Sequence, residues 1–146
     1  MEIIREDNLE KAKARIKKSK KPIVIDAIDE KYNRKILEYG NFQVLLSPEK
    51  NTGLNKIKQN DSGFNHVLAK IAAKNKISIG IDLKEISQLS KKEKAERLAK
   101  IRQNIKICRK AKARIKVINS KNPKIIQSFL ISLGASTQQA REAITF

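Results

Sequence analysis

Apolar and polar positions along this chain follow two rhythms, one of period two and one of three to four, and the chain switches between them repeatedly. Glu2 to Arg5 reads as a short strand, after which Leu9, Ala12 and Ile16 recur at helical spacing. Asn8 stands where an N-cap belongs, and the Lys-rich end of the segment suits a helix C-terminus. Pro22 to Ala27 (PIVIDA) is a buried strand, Glu30 to Tyr39 a helix stopped by Gly40, and Phe42 to Ser47 (FQVLLS) a strand ended by Pro48. Phe64 to Lys74 carries Phe64, Val67, Leu68, Ile71 and Ala72 on one expected buried stripe. Lys76 to Leu83 (KISIGIDL) then alternates as a strand.

The second half continues the pattern. Ser90 is placed to cap a long helix whose expected buried stripe is Ala95, Leu98, Ile101, Ile105 and Cys108, with Lys92, Arg102, Lys106, Arg109 and Lys110 outward. Arg114 to Asn119 (RIKVIN) is a strand. Asn122 followed by Pro123 is a strong helix start, and that helix is expected to bury Ile125, Ile126, Phe129 and Leu133 before closing at Gly134. Ser136 with Gln139 forms a capping-box pattern for a last short helix. Five alternations with helices between strands require parallel pairing, hence an α/β sheet or (β/α) barrel. A chain of 146 residues is below the roughly 200 that a complete eight-stranded barrel needs. No linker divides it, so residues 1–146 read as a single domain.

Charge narrows the function. Lys and Arg number 33 against 15 Asp and Glu, a formal charge of +18, while 40% hydrophobic residues suffice for a core. A folded, strongly basic domain points to a polyanion. The excess is clustered. Lys13, Lys17, Lys20 and Lys21 belong to one block without acids, and from Arg97 to Arg141 no Asp or Glu occurs. Lys91, Lys92, Arg97, Arg102, Arg109, Lys110, Lys112, Arg114, Lys121 and Lys124 form the richer candidate RNA face. Lysine outnumbers arginine, and the aromatics Tyr32, Tyr39, Phe42, Phe64, Phe129 and Phe146 fall mostly on core positions, which favours phosphate contact over base stacking.

Chemistry is sparsely supplied. His66 is the single histidine and Cys108 the single cysteine, so internal disulfides, multi-cysteine zinc sites and histidine clusters are excluded. Cys108 reads as a core residue and His66 as a helix N-terminal residue bonded to a neighbouring carbonyl. Asp26 and Asp82 end two parallel strands, where such folds place their sites. With His66 they form the minimal metal set of a phosphoesterase alternative, although a single Asp at a strand end is more often a helix cap or a partner for the surrounding lysines. Gly53, Gly63 and Gly80 match neither dinucleotide nor Walker spacing. Lacking a basic-then-apolar leader, an apolar span and cysteine pairs, the chain is expected to be cytoplasmic, in a reducing compartment.

One stretch carries a resemblance. NRKILEYGNFQVLLSP, then DSGFNHVLAKIAAKNKISIGIDL, holds Asn33, Arg34, Ser47, Pro48, Gly63, Phe64, Asn65, His66, Val67, Leu68 and Ala69 in an order similar to the signature region of ribonuclease P protein component 3, and the SLGASTQQAREAITF ending resembles that family's tail in Gln139, Ala140 and Arg141. The resemblance implies an incomplete (β/α) barrel with parallel strands, of the TIM and polymerase-and-histidinol-phosphatase type, lacking the first strand-helix units. It implies a non-catalytic subunit of the endoribonuclease that removes the 5′ leader of precursor tRNA. Mg²⁺ is then expected on the partner RNA, with no cofactor on this chain. The implied partners are the catalytic RNA, precursor tRNA indirectly, a smaller α/β protein subunit and other ribonuclease P proteins, with no membrane. A ribosomal RNA-assembly protein is the alternative outside that family.

Overall fold

The computed structural model describes residues 1–50 and 63–144. Gly53, Asp61 and Phe146 therefore lie outside the described residues. Among the described residues twelve elements follow in order: β1 (Glu2–Ile4), α1 (Leu9–Lys18), β2 (Ile23–Asp26), α2 (Glu30–Tyr39), β3 (Val44–Leu46), α3 (His66–Lys74), β4 (Ser78–Asp82), α4 (Leu83–Ser87), α5 (Lys91–Ala111), β5 (Ile115–Ile118), α6 (Pro123–Ser132) and α7 (Thr137–Glu142). All strand pairs are parallel and the sheet order is β1-β2-β3-β4-β5. A doubly wound sheet reverses its order at a switch point, whereas this one advances by one strand at each step, as a barrel does. The fold is an α/β arc, consistent with an incomplete barrel.

Local signals account for where the helices begin. Asn8, Asp29, Asn65, Ser90, Asn122 and Ser136 each accept a backbone N–H of the first turn, and Ser136 with Gln139 completes a reciprocal capping box. Strands are shorter than the alternation suggests because positive φ interrupts the extended chain at Ser47 (φ 53), Lys76 (φ 57) and Asn119 (φ 59). The short helix α4 is absent from the sequence reading; five residues are too few to show periodicity.

The core lies mainly between the sheet and its helices. Ile4, Ile25, Leu45, Ile79 and Ile115 meet Ile16, Ile36, Leu68, Ile101, Ile105, Cys108 and Leu130 in one cluster. Three expected core residues are not there. Val67 and Ile125 are each 53% exposed, because α3 buries Leu68, Ala69 and Ala72, and α6 buries Ile126 and Leu130. Ala95 is exposed as well. The first turns of α5 lie beside Glu49 and Lys50, so their inward residues are polar and apolar burial begins further along the helix.

On the opposite side of the sheet Val24, Val44, Leu46 and Ile118 form a second, smaller cluster with Ile3. Gly80 lies on this face. A Cβ there would stand 2.6 Å from Val44 Cγ1 and 3.1 Å from Leu46 Cδ1, so the glycine has a packing reason. Gly80→Ala is expected to cost about 1–3 kcal/mol by overpacking, read as a lowered urea midpoint. At the β5 side, Val117 N–H donates to Ala143 O at 3.4 Å, which lays the chain after α7 along that strand.

Candidate nucleic-acid interface

Asp26, Glu49, Asp82 and Glu85 lie toward the carboxyl ends of β2, β3 and β4, and three of them have cationic partners. Arg97 donates to Glu49 Oε1 at 3.2 Å and to Glu85 Oε1 at 2.9 Å. Lys50 Nζ lies 3.4 Å from Glu85 Oε2, and Arg5 Nε 3.7 Å from Asp26 Oδ2. Burial pushes the Glu49 carboxyl up against the opposing pull of Arg97. Burial likewise raises Asp26, opposed by Lys50 and Arg5. Asp82 is a cap: its Oδ1 accepts from Glu85 N at 3.1 Å and its Oδ2 from Asn119 Nδ2 at 2.9 Å.

The phosphoesterase set does not assemble. Among the described residues no three of His, Cys, Asp and Glu come together in a way that could hold a metal. His66 is exposed at the first position of α3, in the helix-terminal place expected. Cys108 is buried, and burial pushes its thiol up to about 12. Native protein is accordingly expected to leave Cys108 unmodified by a thiol reagent at pH 8 and to expose one reactive thiol in denaturant.

Several of the family-like residues take up places in the fold. Asn33 is buried and its Oδ1 accepts from Ile28 N at 2.9 Å. Arg34 pairs with Glu38 at 3.2 Å. Ser47 and Pro48 are buried at the turn after β3, Gly63 has φ 69, and Phe64 is in the core. Asn65 caps α3 and reaches Glu30 at 2.9 Å.

The basic residues sort by end of the sheet rather than by position in sequence. Each helix between parallel strands runs back against them, so α1, α3 and α5 all finish at the strands' amino ends. That rim collects Lys17 in the last turn of α1, Lys20 and Lys21 after it, and Arg109, Lys110, Lys112 and Arg114 around the end of α5. Lys91 and Lys92 at the start of α5, and Lys121 and Lys124 beyond β5, lie toward the carboxyl ends. All of these are exposed, as is Arg102 midway along α5. Arg114 Nε lies 3.9 Å from Glu142 Oε2, and two further candidates are more fully engaged. Arg97 is only 12% exposed in its ion pairs, which removes it from the open face. Lys13 pairs with Glu10 at 3.5 Å and stands 5.3 Å over the Tyr39 ring.

At the amino-end rim the chain encloses a cavity of about 460 Å³ between β3, β4 and β5, lined by Gln43, Ser78, Lys76, Lys112, Arg114 and Lys116 among others. Lys116 comes from the strand itself and is buried. Its Nζ donates to Glu142 O at 2.6 Å, and burial, then the neighbouring Arg114, lowers its pKa. Lys76 and Lys116 are absent from the sequence reading of the basic faces. The available signal was the lysine at an inward position of RIKVIN.

Comparison with known proteins follows this geometry. No family model matches the chain. Ribonuclease P protein component 3 of Methanococcus vannielii is 32% identical over 88 residues, 60% of this chain and 35% of that protein. The component 3 protein of Methanocaldococcus jannaschii is 27% identical over 110 residues, 70% of this chain and 44% of that protein. Over the matched residues the chain is homologous to ribonuclease P protein component 3. A chain of the cryo-EM structure of archaeal ribonuclease P with mature tRNA superimposes with a TM-score of 0.75 at 23% identity, covering 98% of this chain and 62% of that one. This likeness confirms the fold. The matches span less than half the length of those two component 3 relatives. Among the described residues no helix is long and apolar enough to cross a membrane.

Proposed function

We propose that this chain is a protein subunit of ribonuclease P, an RNA-binding brace that stabilises the fold of the catalytic RNA during removal of the 5′ leader from precursor tRNA. The observation that carries the reading is the homology to component 3 proteins over 60% to 70% of the chain, joined to exposed cations along α5 and at the amino-end rim. The subunit itself cuts no bond: the hydrolysis and its Mg²⁺ belong to the RNA, and the acids at the carboxyl ends of the strands serve ion pairs and a helix cap. Its contribution is electrostatic, since each phosphate neutralised releases condensed counterions. The partners are the catalytic RNA, a smaller α/β protein subunit and other ribonuclease P proteins, with precursor tRNA met indirectly, in the cytoplasm. The 146 residues act as one (β/α) unit within that particle.

Reconstitution tests this. Cognate catalytic RNA is combined with the partner proteins, with and without this chain, and precursor-tRNA cleavage is followed at low Mg²⁺. The chain is expected to raise the rate and lower the Mg²⁺ requirement. Omission without effect, together with recovery of ribosomal RNA rather than ribonuclease P RNA in a pull-down, assigns the chain to ribosome assembly instead.

A further inference from the structure

Non-glycine residues with positive φ among the described ones are Asn41, Ser47, Lys76, Lys112 and Asn119. Asparagine visits that region readily, whereas lysine has no side-chain device that favours it. Lys76 (φ 57) follows the C-cap of α3, and Lys112 (φ 62, ψ 30) is the C-cap of α5. Both open the loops that lead into β4 and β5. Both line the same rim cavity, together with Arg114 and Lys116.

Glycine is the usual occupant of such a position. The chain does place glycine at the ends of helices that do not border the cavity: Gly40 (φ 71) after α2 and Gly134 (φ 95) after α6. Attraction of a cation to a helix C-terminus does not explain the two lysines, because Lys74 already occupies the last turn of α3, and Arg109 and Lys110 that of α5. Unfavourable backbone at two corners of one cavity, both times carrying an ammonium, is the kind of strain retained for a ligand.

The cavity has the charge for it. Four cations, Lys76 before β4 and Lys112, Arg114 and Lys116 leading into β5, converge on about 460 Å³, within the range in which proteins seat small ligand groups. Glu142 lies beside two of them. Its carboxylate is 3.9 Å from Arg114 Nε, and toward Lys116 it offers its backbone carbonyl. Such a set attracts an anion with several acceptor oxygens.

We propose that the cavity is a phosphate-binding site that seats a backbone phosphate of a structured RNA, with Lys76 and Lys112 held in left-handed backbone to reach it. The occupant's identity rests on the RNA-binding function proposed above. The site lies at the amino ends of the strands, opposite the mouth where barrels of this kind place their chemistry.

The test uses the full chain carrying Lys76→Gly and Lys112→Gly together, with Lys76→Arg/Lys112→Arg as the conservative pair. Binding to ribonuclease P RNA and to an unrelated structured RNA of equal length is measured across salt concentrations, with pyrophosphate and polyglutamate as competitors, alongside melting temperature. The glycine pair is expected to melt at the same temperature or higher while losing at least tenfold in RNA affinity and about two units of salt slope. The arginine pair keeps its affinity. Pyrophosphate competes for the parent chain and not for the glycine pair. A lower melting temperature with unchanged RNA binding makes the lysines structural and overturns the site. Displacement of polyglutamate but not RNA by pyrophosphate makes the occupant an acidic protein segment, and pyrophosphate binding with no effect of either pair on RNA leaves a small-phosphate site; both overturn the RNA assignment. If the glycine pair stimulates precursor-tRNA cleavage as the parent does at parental affinity, the subunit reading stands and the site falls. If the parent chain fails to stimulate cleavage, yet loses unrelated-RNA binding through the glycine pair, the site stands and the ribonuclease P reading falls.

Discussion

Arg97→Met is expected to destabilise the chain by about 3–5 kcal/mol at neutral pH, because it takes the guanidinium away from a buried carboxylate. The Arg97 side chain is 12% exposed and that of Glu49 only 1%. Glu85 still has Lys50 at 3.4 Å when the guanidinium is gone, so the damage falls on Glu49. The pH dependence has a definite sign. Burial already holds the folded Glu49 carboxyl above its ordinary value, with Arg97 pulling it back. A folded state that binds the proton at higher pH than the unfolded state loses stability as pH rises through the folded value. Removing Arg97 pushes that value further up and widens the interval over which stability is lost. The deficit should therefore be large at pH 7 and shrink as pH falls toward the ordinary glutamate range, below which the carboxyl is neutral in both states. Urea midpoints at pH 7 and pH 5 check it, and Glu49→Gln added to Arg97→Met should recover much of the loss at pH 7. Equal midpoints for Arg97→Met and the parent at pH 7 would falsify the buried pair as a structural element.

The same residue marks a boundary of what the sequence discloses. Read along the chain, Arg97 opens the acid-free basic run and belongs with the RNA face. In three dimensions its partners come from 12 and 48 residues away, a relation no local pattern carries. Helix starts were legible because a cap is a contact over two or three residues, as at Asn122 with Lys124 N and Ser136 with Gln139 N. Parallel pairing was legible because helices separated the strands. Which side of a helix faces the sheet was less so: Val67 and Leu68, or Ile125 and Ile126, are adjacent in sequence, and tertiary contact alone decides which member is buried. The rim cavity is the clearest gap. Lys76 and Lys116 are 40 residues apart and meet because β4 and β5 are neighbours, and a lysine between isoleucines in a strand gave only a faint hint of an inward cation.

Reversing charge on the outer face of α5 is the second large expected effect, and it bears on function rather than stability. Arg102, Lys106 and Arg109 are exposed at spacings of four and three, which places them on one side of the helix. The variant carrying Arg102→Glu, Lys106→Glu and Arg109→Glu touches no buried contact, so its unfolding free energy should fall by less than about 1 kcal/mol, mostly from Arg109 at the helix C-terminus. If the three side chains each meet a phosphate, the salt slope of RNA binding should drop by about three. At 0.15 M salt, three contacts of slope roughly 0.9 correspond to a loss on the order of 10² in affinity. Fluorescence polarisation with ribonuclease P RNA between 0.05 and 0.3 M salt measures both quantities, those concentrations being about where counterion effects dominate. The matching reversal of Lys91 and Lys92 probes the other end of the same helix. A large effect from Arg102, Lys106 and Arg109 with little from Lys91 and Lys92 places the RNA toward the amino-end rim, beside the lysine-lined cavity; the opposite result moves it to the carboxyl ends of the strands.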